Sequence, residues 1–181
     1  MLIRALSLPD IAAVQAIYAH HVSHGLATFE EDPPDLDDVA GRVAAVQARG
    51  LPWLVAEEDG RVLGYAYASP FRPRTAYRFT VEDSVYVAPD ATGRGVGKAL
   101  LDAVIAACEA MGLRQMIAVI GDSDNTASIG LHRSCGFEFK TALTGVGYKF
   151  GRWVDVVWMQ RSLNGGDERG PDAPGLTLGG G

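Results

Sequence analysis

The stretch Ser84-Val85-Tyr86-Val87-Ala88-Pro89-Asp90-Ala91-Thr92-Gly93-Arg94-Gly95-Val96-Gly97-Lys98-Ala99-Leu100-Leu101 decides the fold. It reads as a β-strand, a glycine-rich turn and the first turn of an amphipathic helix. Glycines at 93, 95 and 97 leave little side chain in the way, so backbone N–H groups can close around an anion. The helix that follows adds the positive end of its dipole at the same spot. The ligand implied is a phosphate or a pyrophosphate. A P-loop would end in Gly-Lys-Ser/Thr so that a hydroxyl reaches magnesium, whereas Lys98 is followed by Ala99. A dinucleotide fold would repeat parallel βαβ units, with an acid about 20 residues on. Only one clear further strand–helix pair follows. A tight turn that merely precedes a helix is the remaining alternative.

The next segment shifts the balance. Arg114 to Ile120 is an apolar strand, and Asp122 to Ser128 is a polar turn capping a helix over about 126–135. Gly136-Phe137 ends that helix, as glycine just past a C-terminus commonly does. Four further stretches fall in order around this pair: Pro52–Glu57, Thr80–Val87, Ala118–Gly121 and Gly147–Asp155. Together they resemble the acetyl-CoA core of the GNAT N-acetyltransferase superfamily, and more narrowly its phosphinothricin and methionine sulfoximine acetyltransferase branch. The resemblance reaches from near the N-terminus to about residue 163. It implies an α/β fold with a mixed, largely antiparallel twisted sheet, flanked by helices and splayed at its central strands. It also implies acetyl-CoA as co-substrate, held by Val85, Tyr86, Val87, Gly93, Arg94, Gly95, Val96, Gly97 and Lys98, with Asn125, Ser128 and Ser134 from the next helix. In one place the chain departs from the pattern. The superfamily usually has Gln or Arg three residues before the first glycine of its Gly-x-Gly pair, where this chain has Thr92. Arg94 is the candidate to supply the missing donor.

At 181 residues the chain is one domain by length, with ordinary apolar and charged fractions for a soluble protein. A formal net charge of −6 argues against a nucleic-acid partner, which wants clustered Lys and Arg. Met1-Leu2-Ile3-Arg4 lacks the charged-then-apolar pattern of a signal peptide, and no apolar run reaches membrane-spanning length. The two cysteines, Cys108 and Cys135, fall on predicted helices and read as reduced core thiols. A cytoplasmic location is expected.

Along the chain, Ser7 to about His21 predicts a helix with Ser7 as cap and Pro9 in its first turn. A loop at 25–34 carries Thr28 and Phe29, and a second helix runs from about Asp35 to Arg49. Strands 53–57 and 62–68 are joined by an Asp59-Gly60 hairpin turn. Residues 69–77 form a loop with Arg72 and Arg74; Arg78 to Val87 is a long strand. After the core come strands near 138–150 and 153–162, giving the order ααβββαβαββ and an acetyltransferase domain over residues 1–163. Asn164 to Gly181 holds seven glycines, two prolines and three acids, and by composition is expected to be a disordered tail.

Acetyl transfer to an amine needs a free lone pair, yet an α-amine is mostly protonated at neutral pH; a carboxylate near the acceptor, acting directly or through water, can take that proton. Strand alternation puts Glu82, Ser84 and Tyr86 on one face and Asp83, Val85 and Val87 on the other, and a bulge would change that parity. Alternation alone does not choose between the two acids. The resemblance does, because Glu82 matches the position of the family's general base. The departing CoA thiolate must be protonated or stabilised, and His132 stands where many members carry a Tyr, as in the phosphinothricin branch; a histidine can donate a proton near neutrality. A core histidine is the plainer alternative. For the acceptor, Arg72 and Arg74 offer guanidinium forks suited to carboxylate, phosphinate or sulfoximine oxygens. The resemblance adds Thr75, Ala76 and Tyr77 as pocket lining, with Phe29 and Phe71 as apolar walls. His20, His21 and His24 read as a surface or loop-facing cluster rather than a metal site. Lys149, Phe150 and Trp153 lie where relatives pack at a dimer interface, so a homodimer is expected. The activity implied is transfer of acetyl to the α-amine of a small amino-acid analogue. Two readings compete with it: acetylation of another small amine or a protein N-terminus, and a non-catalytic acyl-CoA sensor.

Overall fold

A computed structural model describes residues 1–178. Its core is one seven-stranded sheet in the order β1-β2-β3-β4-β5-β7-β6, from β1 (Leu2–Ala5), β2 (Trp53–Glu58), β3 (Arg61–Pro70), β4 (Thr80–Val87), β5 (Gln115–Gly121), β6 (Glu138–Lys149) and β7 (Arg152–Ser162). Four helices join them: α1 (Ile11–His24), α2 (Leu36–Gln47), α3 (Val96–Ala110) and α4 (Thr126–Ser134). All strand pairs are antiparallel except β4 with β5, where α3 makes the crossover a parallel pair requires. The mixed, largely antiparallel sheet matches the expected class. β1 was not foreseen: four residues are too short for a readable alternation. Arg4 on β1 bridges Asp10 and Glu57, and the Asp10 carboxylate also accepts from the Ser7 backbone and hydroxyl, tying the strand to the entry of α1.

The two faces carry different layers. Tyr65 and Tyr67 of β3 meet Val14 and Tyr18 of α1 and Val39 and Arg42 of α2. On the other face, where α3 packs, a Cβ on Gly64 would come within 2.8 Å of the Tyr86 carbonyl of β4 and 3.2 Å of Val96 Cγ1 on α3. The β4 backbone is what requires glycine there. The β3–β4 register runs unbroken from Gly64↔Val87 to Pro70↔Val81, so no bulge disturbs the parity of β4. Glu82, Ser84 and Tyr86 therefore face α1 and α2, and Asp83, Val85 and Val87 face α3 and α4.

The parallel pairing of β4 and β5 covers only Thr80↔Gln115 to Asp83↔Ala118. Beyond Asp83 the two strands part, leaving Ser84–Val87 and Val119–Gly121 without ladder partners across the gap. The splay expected at the centre of the sheet is thus present.

The C-terminal stretch differs from expectation. Leu176 and Leu178 are buried, the Leu176 N–H donates to the Arg78 carbonyl, and Arg114 donates to the Gly166 and Arg169 carbonyls. Average composition underrates such a strap, because two leucines and a few directed hydrogen bonds are enough to seat a chain that glycines at positive φ turn at 165, 166 and 175. Residues 179–181 of the expected tail lie outside the described residues.

Candidate active site

The turn before α3 is shaped for an anion. Gly93 and Gly95 both have left-handed backbones, at φ 74° and 79°, where a side chain costs roughly 1–2 kcal/mol. Gly95 is the N-cap of α3 and contributes no side-chain cap, so the first-turn N–H groups of Val96, Gly97 and Lys98 point outward unanswered. They open on a cavity of ≈ 330 Å³, lined by Val85, Tyr86, Val87, Thr92, Gly93, Gly95, Val96, Gly97 and Lys98, with Asn125, Ala127, Ser128 and Leu131 opposite. Bare N–H donors at a helix N-terminus, open space before Gly93 and Gly95, and apolar walls together fit the pyrophosphate and pantetheine arm of a coenzyme A ester. The Asn125 Oδ1 accepts from the Ser128 N–H at 3.1 Å, so these two cap α4 while lining the cavity.

Two expected contributors are elsewhere. Arg94 is paired with Glu58 on the surface, and it is absent from the cavity wall. Its position between two left-handed glycines turns its side chain back toward β2. Ser134 is exposed and donates to the Leu131 carbonyl, at the opposite end of α4 from the turn. Thr92 does line the cavity, its hydroxyl donating to the Pro89 carbonyl at 3.0 Å.

Inward from this cavity, the gap between β4 and β5 holds a narrow space of ≈ 50 Å³, lined by Asp83, Ser84, Val85, Tyr86, Val119, Ile120, Asn125, Ser128 and His132, with Ala27 above. Ala27 belongs to the 25–34 loop, which crosses the end of β5 so closely that a Cβ on Gly121 would strike the Leu26 carbonyl. Phe29 packs on Gly147 of β6 in the same way. The loop is fastened by a polar chain: Lys149 Nζ donates to the Thr28 carbonyl at 2.8 Å, Thr28 and Tyr18 share a hydrogen bond at 2.9 Å, and the Tyr18 hydroxyl donates to Glu30, which Arg42 pairs. Lys149 is 1% exposed, and burial lowers its pKa.

Glu82 and Asp83 are adjacent but have opposite surroundings. Burial, then the charge of Asp83, raises the Glu82 pKa, and the Arg72 charge opposes them. Among the described residues nothing hydrogen-bonds the Glu82 carboxylate, so it is free to accept a proton. Asp83 is buried and its Oδ2 accepts from His132 Nε2 at 3.0 Å. Burial works against charge on His132, but the hydrogen bond and charge of Asp83 outweigh it and raise the pKa.

Arg72 lies 4.7 Å over the Phe71 ring and 5.9 Å from the Trp158 ring, on the Glu82 side of the sheet. Tyr77 meets Phe71 edge-on at 5.6 Å. Arg74, Thr75, Ala76 and Tyr77 are all exposed, on and just before a 3₁₀ turn over Thr75–Tyr77. Of the expected acceptor residues, Arg72 is therefore the one drawn toward Glu82. Two site residues and one contact had no readable signal. His21 lines the glycine-turn cavity while its Nε2–H donates to the Val87 carbonyl at 2.9 Å, burial lowering its pKa. Trp158 and the Asp83–His132 contact depend on strand register, which no local pattern shows.

Comparison with known proteins agrees with this geometry. The family model described as "Acetyltransferase (GNAT) family" matches residues 14–137. The chain is 58% identical over 170 residues to a phosphinothricin N-acetyltransferase of Alcaligenes faecalis, covering 94% of this chain and 86% of that protein. It is 44% identical over 163 residues to an L-methionine sulfoximine/L-methionine sulfone acetyltransferase of Pseudomonas paraeruginosa, covering 90% and 94%. The crystal structure of a GNAT superfamily phosphinothricin acetyltransferase from Sinorhizobium meliloti, in complex with AcCoA, superposes with a TM-score of 0.91 at 46% identity, covering 94% of this chain and 92% of that one.

Proposed function

We propose that this chain, which belongs to the acetyltransferase (GNAT) family and uses acetyl-CoA as co-substrate, transfers acetyl to the α-amine of a small amino-acid analogue of the phosphinothricin or methionine sulfoximine type. One observation carries the reading. The splay of β4 from β5 opens the sheet between the glycine-turn cavity and the face that bears Glu82 and Arg72. An acyl group reaching in from one side meets an amine arriving from the other. The names of the 58% and 44% identical relatives support the substrate class.

In this mechanism the first-turn N–H groups of α3 hold the pyrophosphate, while Val85, Tyr86 and Val87 on one strand and Asn125 and Ser128 on α4 flank the arm. Glu82 removes a proton from the acceptor ammonium, directly or through water, and its raised pKa suits a base working near neutrality. The freed lone pair attacks the thioester carbonyl, where alignment contributes more than covalent chemistry would. His132, in the gap beside β5, donates a proton to the departing thiolate. Arg72, with Arg74 from the turn beyond it, receives the acceptor's carboxylate or its oxygen-bearing head.

The assembly we propose is a homodimer. β6 is an edge strand, and Phe139, Leu143, Val146, Tyr148, Phe150 and Trp153 of the β6–β7 hairpin expose 42–68% of their surface. A second copy would cover this apolar face, and sedimentation of the wild type against Trp153→Glu tests it. The location we propose is cytoplasmic, in keeping with acetyl-CoA use and with the free, buried thiols of Cys108 and Cys135. The deciding experiment is an initial-rate survey with acetyl-CoA and phosphinothricin, methionine sulfoximine, ordinary amino acids, spermidine and a short peptide. Turnover of either analogue well above the rest is expected. Robust turnover of spermidine or the peptide with neither analogue would overturn the acceptor assignment and leave the acetyl-CoA site standing.

A further inference from the structure

Asp83 is the one buried carboxylate in the gap between β4 and β5, and the mechanism above leaves it without a task. Its Oδ2 meets His132 Nε2 at 3.0 Å, and the other ring nitrogen, Nδ1, meets the Ser128 carbonyl at 2.8 Å. A backbone carbonyl only accepts, so Nδ1 carries a proton. An ionised carboxylate also only accepts, so the Nε2 contact needs a second proton. A neutral imidazole has one. The geometry is satisfied when His132 is an imidazolium facing a carboxylate, a pair with no net charge, which is the form in which two buried ions are tolerated. The Phe137 ring stands edge-on to His132 at 5.1 Å and closes off water from that side.

We propose that Asp83 is a positioning residue for acetyl transfer: it fixes the His132 ring and keeps both of its nitrogens protonated, so that the pair stores the proton given to the departing thiolate. This rests on the reading of His132 as the proton donor. As the C–N bond forms, the attacking nitrogen gives its second surplus proton to Glu82, which has already passed the first to solvent, and as the C–S bond breaks its electron pair goes to sulfur. The Nε2–H, held until then by Asp83 Oδ2, turns to the thiolate; an S–H bond forms as the Nε2–H bond breaks, and that bond's electrons stay on the ring. His132 is left neutral with its Nε2 lone pair against the Asp83 carboxylate, an unfavourable arrangement that draws a proton back from solvent once CoA has gone. Asp83 Oδ1 has no hydrogen-bond partner among the described residues, so the carboxylate lines the gap with an unused acceptor.

The charged groups around the pair are few. β4 supplies Glu82, with Arg72 beside it; α3 supplies the Cys108 thiol, held protonated and pushed up to about 12 by burial and then by Asp83; β5 presents only Val119 and Ile120. Asp83→Asn keeps the shape, and the new amide can donate to Nε2, leaving His132 neutral. The experiment compares Asp83→Asn, His132→Gln and the double variant by kcat against pH, with ¹⁵N NMR of the His132 ring in the unliganded protein. Expected is a loss of kcat of about 10²-fold in Asp83→Asn, at the low end for a proton-transfer group, with acetyl-CoA affinity within about threefold. Both limbs of the profile should move to lower pH, because Asp83 raises the pKa of His132 and of Glu82 alike. The double variant should lose no more than His132→Gln, and both ring nitrogens should be protonated at neutral pH in the wild type alone. An Asp83→Asn profile that drops in height without moving, or a bare Nε2 in the wild type, overturns the proposal while the donor reading stands. Wild-type kcat in His132→Gln overturns both.

Discussion

Replacing Glu82 by Gln removes one acceptor oxygen and its charge but keeps size, shape and hydrogen-bonding capacity. Glu82 makes no hydrogen bond among the described residues, so the fold should not register the change. The loss is chemical. A general base contributes about 10²–10⁴ in rate, or about 2.7–5.5 kcal/mol of barrier, and kcat/KM for the amino acid should fall by that factor with acetyl-CoA affinity near wild type. An α-amine titrating near 8 is only about a tenth neutral at pH 7. Moving to pH 9 then raises its neutral fraction about tenfold, and an amine of higher pKa gains up to about a hundredfold. Raising pH should therefore return one to two decades of the loss. The wild type should show an acid limb, falling as pH drops through the raised Glu82 pKa, and the variant should lack it. Initial rates from pH 6 to 9.5, with calorimetric titration of acetyl-CoA, make the measurement. An active Glu82→Gln enzyme that keeps the acid limb would refute the assignment, and a crippled Asp83→Asn beside it would move the base to the other face of the strand.

Three other outcomes are open to measurement. Gly97→Val places a branched side chain where even a Cβ would stand 3.1 Å from Leu131 Cδ2 and 3.5 Å from Val87 Cγ2, inside the cavity wall. Its acetyl-CoA affinity should fall at least about tenfold, a loss of about 1.4 kcal/mol, with a thermal midpoint close to wild type; unchanged affinity would take the glycine turn out of the site. Arg72→Ala should raise KM for the amino acid about 10- to 100-fold, as loss of a charge-assisted contact does. It should also move the acid limb to higher pH, since the Arg72 charge opposes the rise of the Glu82 pKa; an unmoved limb would separate the two residues. Lys149→Met leaves the Thr28 carbonyl without its donor, a cost of about 1–3 kcal/mol, and amide exchange in residues 26–30 should quicken relative to the rest of the chain. Unaltered exchange there would mean that Tyr18, Thr28 and Glu30 hold the loop unaided.

Most of the fold was legible because its signals are local. The Asp59-Gly60 turn takes the left-handed backbone at both residues, at φ 52° and 77°, which is why that dipeptide marks a hairpin so well. The glycine turn before α3 and the Asn125 cap of α4 are readable for the same reason. What stayed hidden depends on distance along the chain. Arg94 has the right charge at the right turn, yet Glu58, 36 residues earlier, holds it. Asp83 and His132 are 49 residues apart and meet only because α4 returns across the edge of β4. The seating of Leu176 and Leu178 depends on the Arg78 backbone, which no composition statistic contains.

The consecutive acids on β4 show how much one residue of parity decides. Alternation sends Glu82 to the side of Arg72 and Asp83 to the side of His132. Burial raises the pKa of the first, which has no hydrogen-bond partner among the described residues, whereas the second meets His132 Nε2 at 3.0 Å. By the mechanism proposed above, a proton acceptor and a stored proton stand back to back across one strand, where the sheet itself opens. On the proposed reading, direct attack needs both: the amine gives up a proton on one face as the sulfur gains one on the other. A one-residue slip of β4 would exchange the two environments. Inserting a single alanine between Thr80 and Val81 should therefore abolish turnover while the glycine turn, whose N–H donors lie beyond Val87 on α3, still binds acetyl-CoA, more weakly because Val85, Tyr86 and Val87 beside its arm turn over as well.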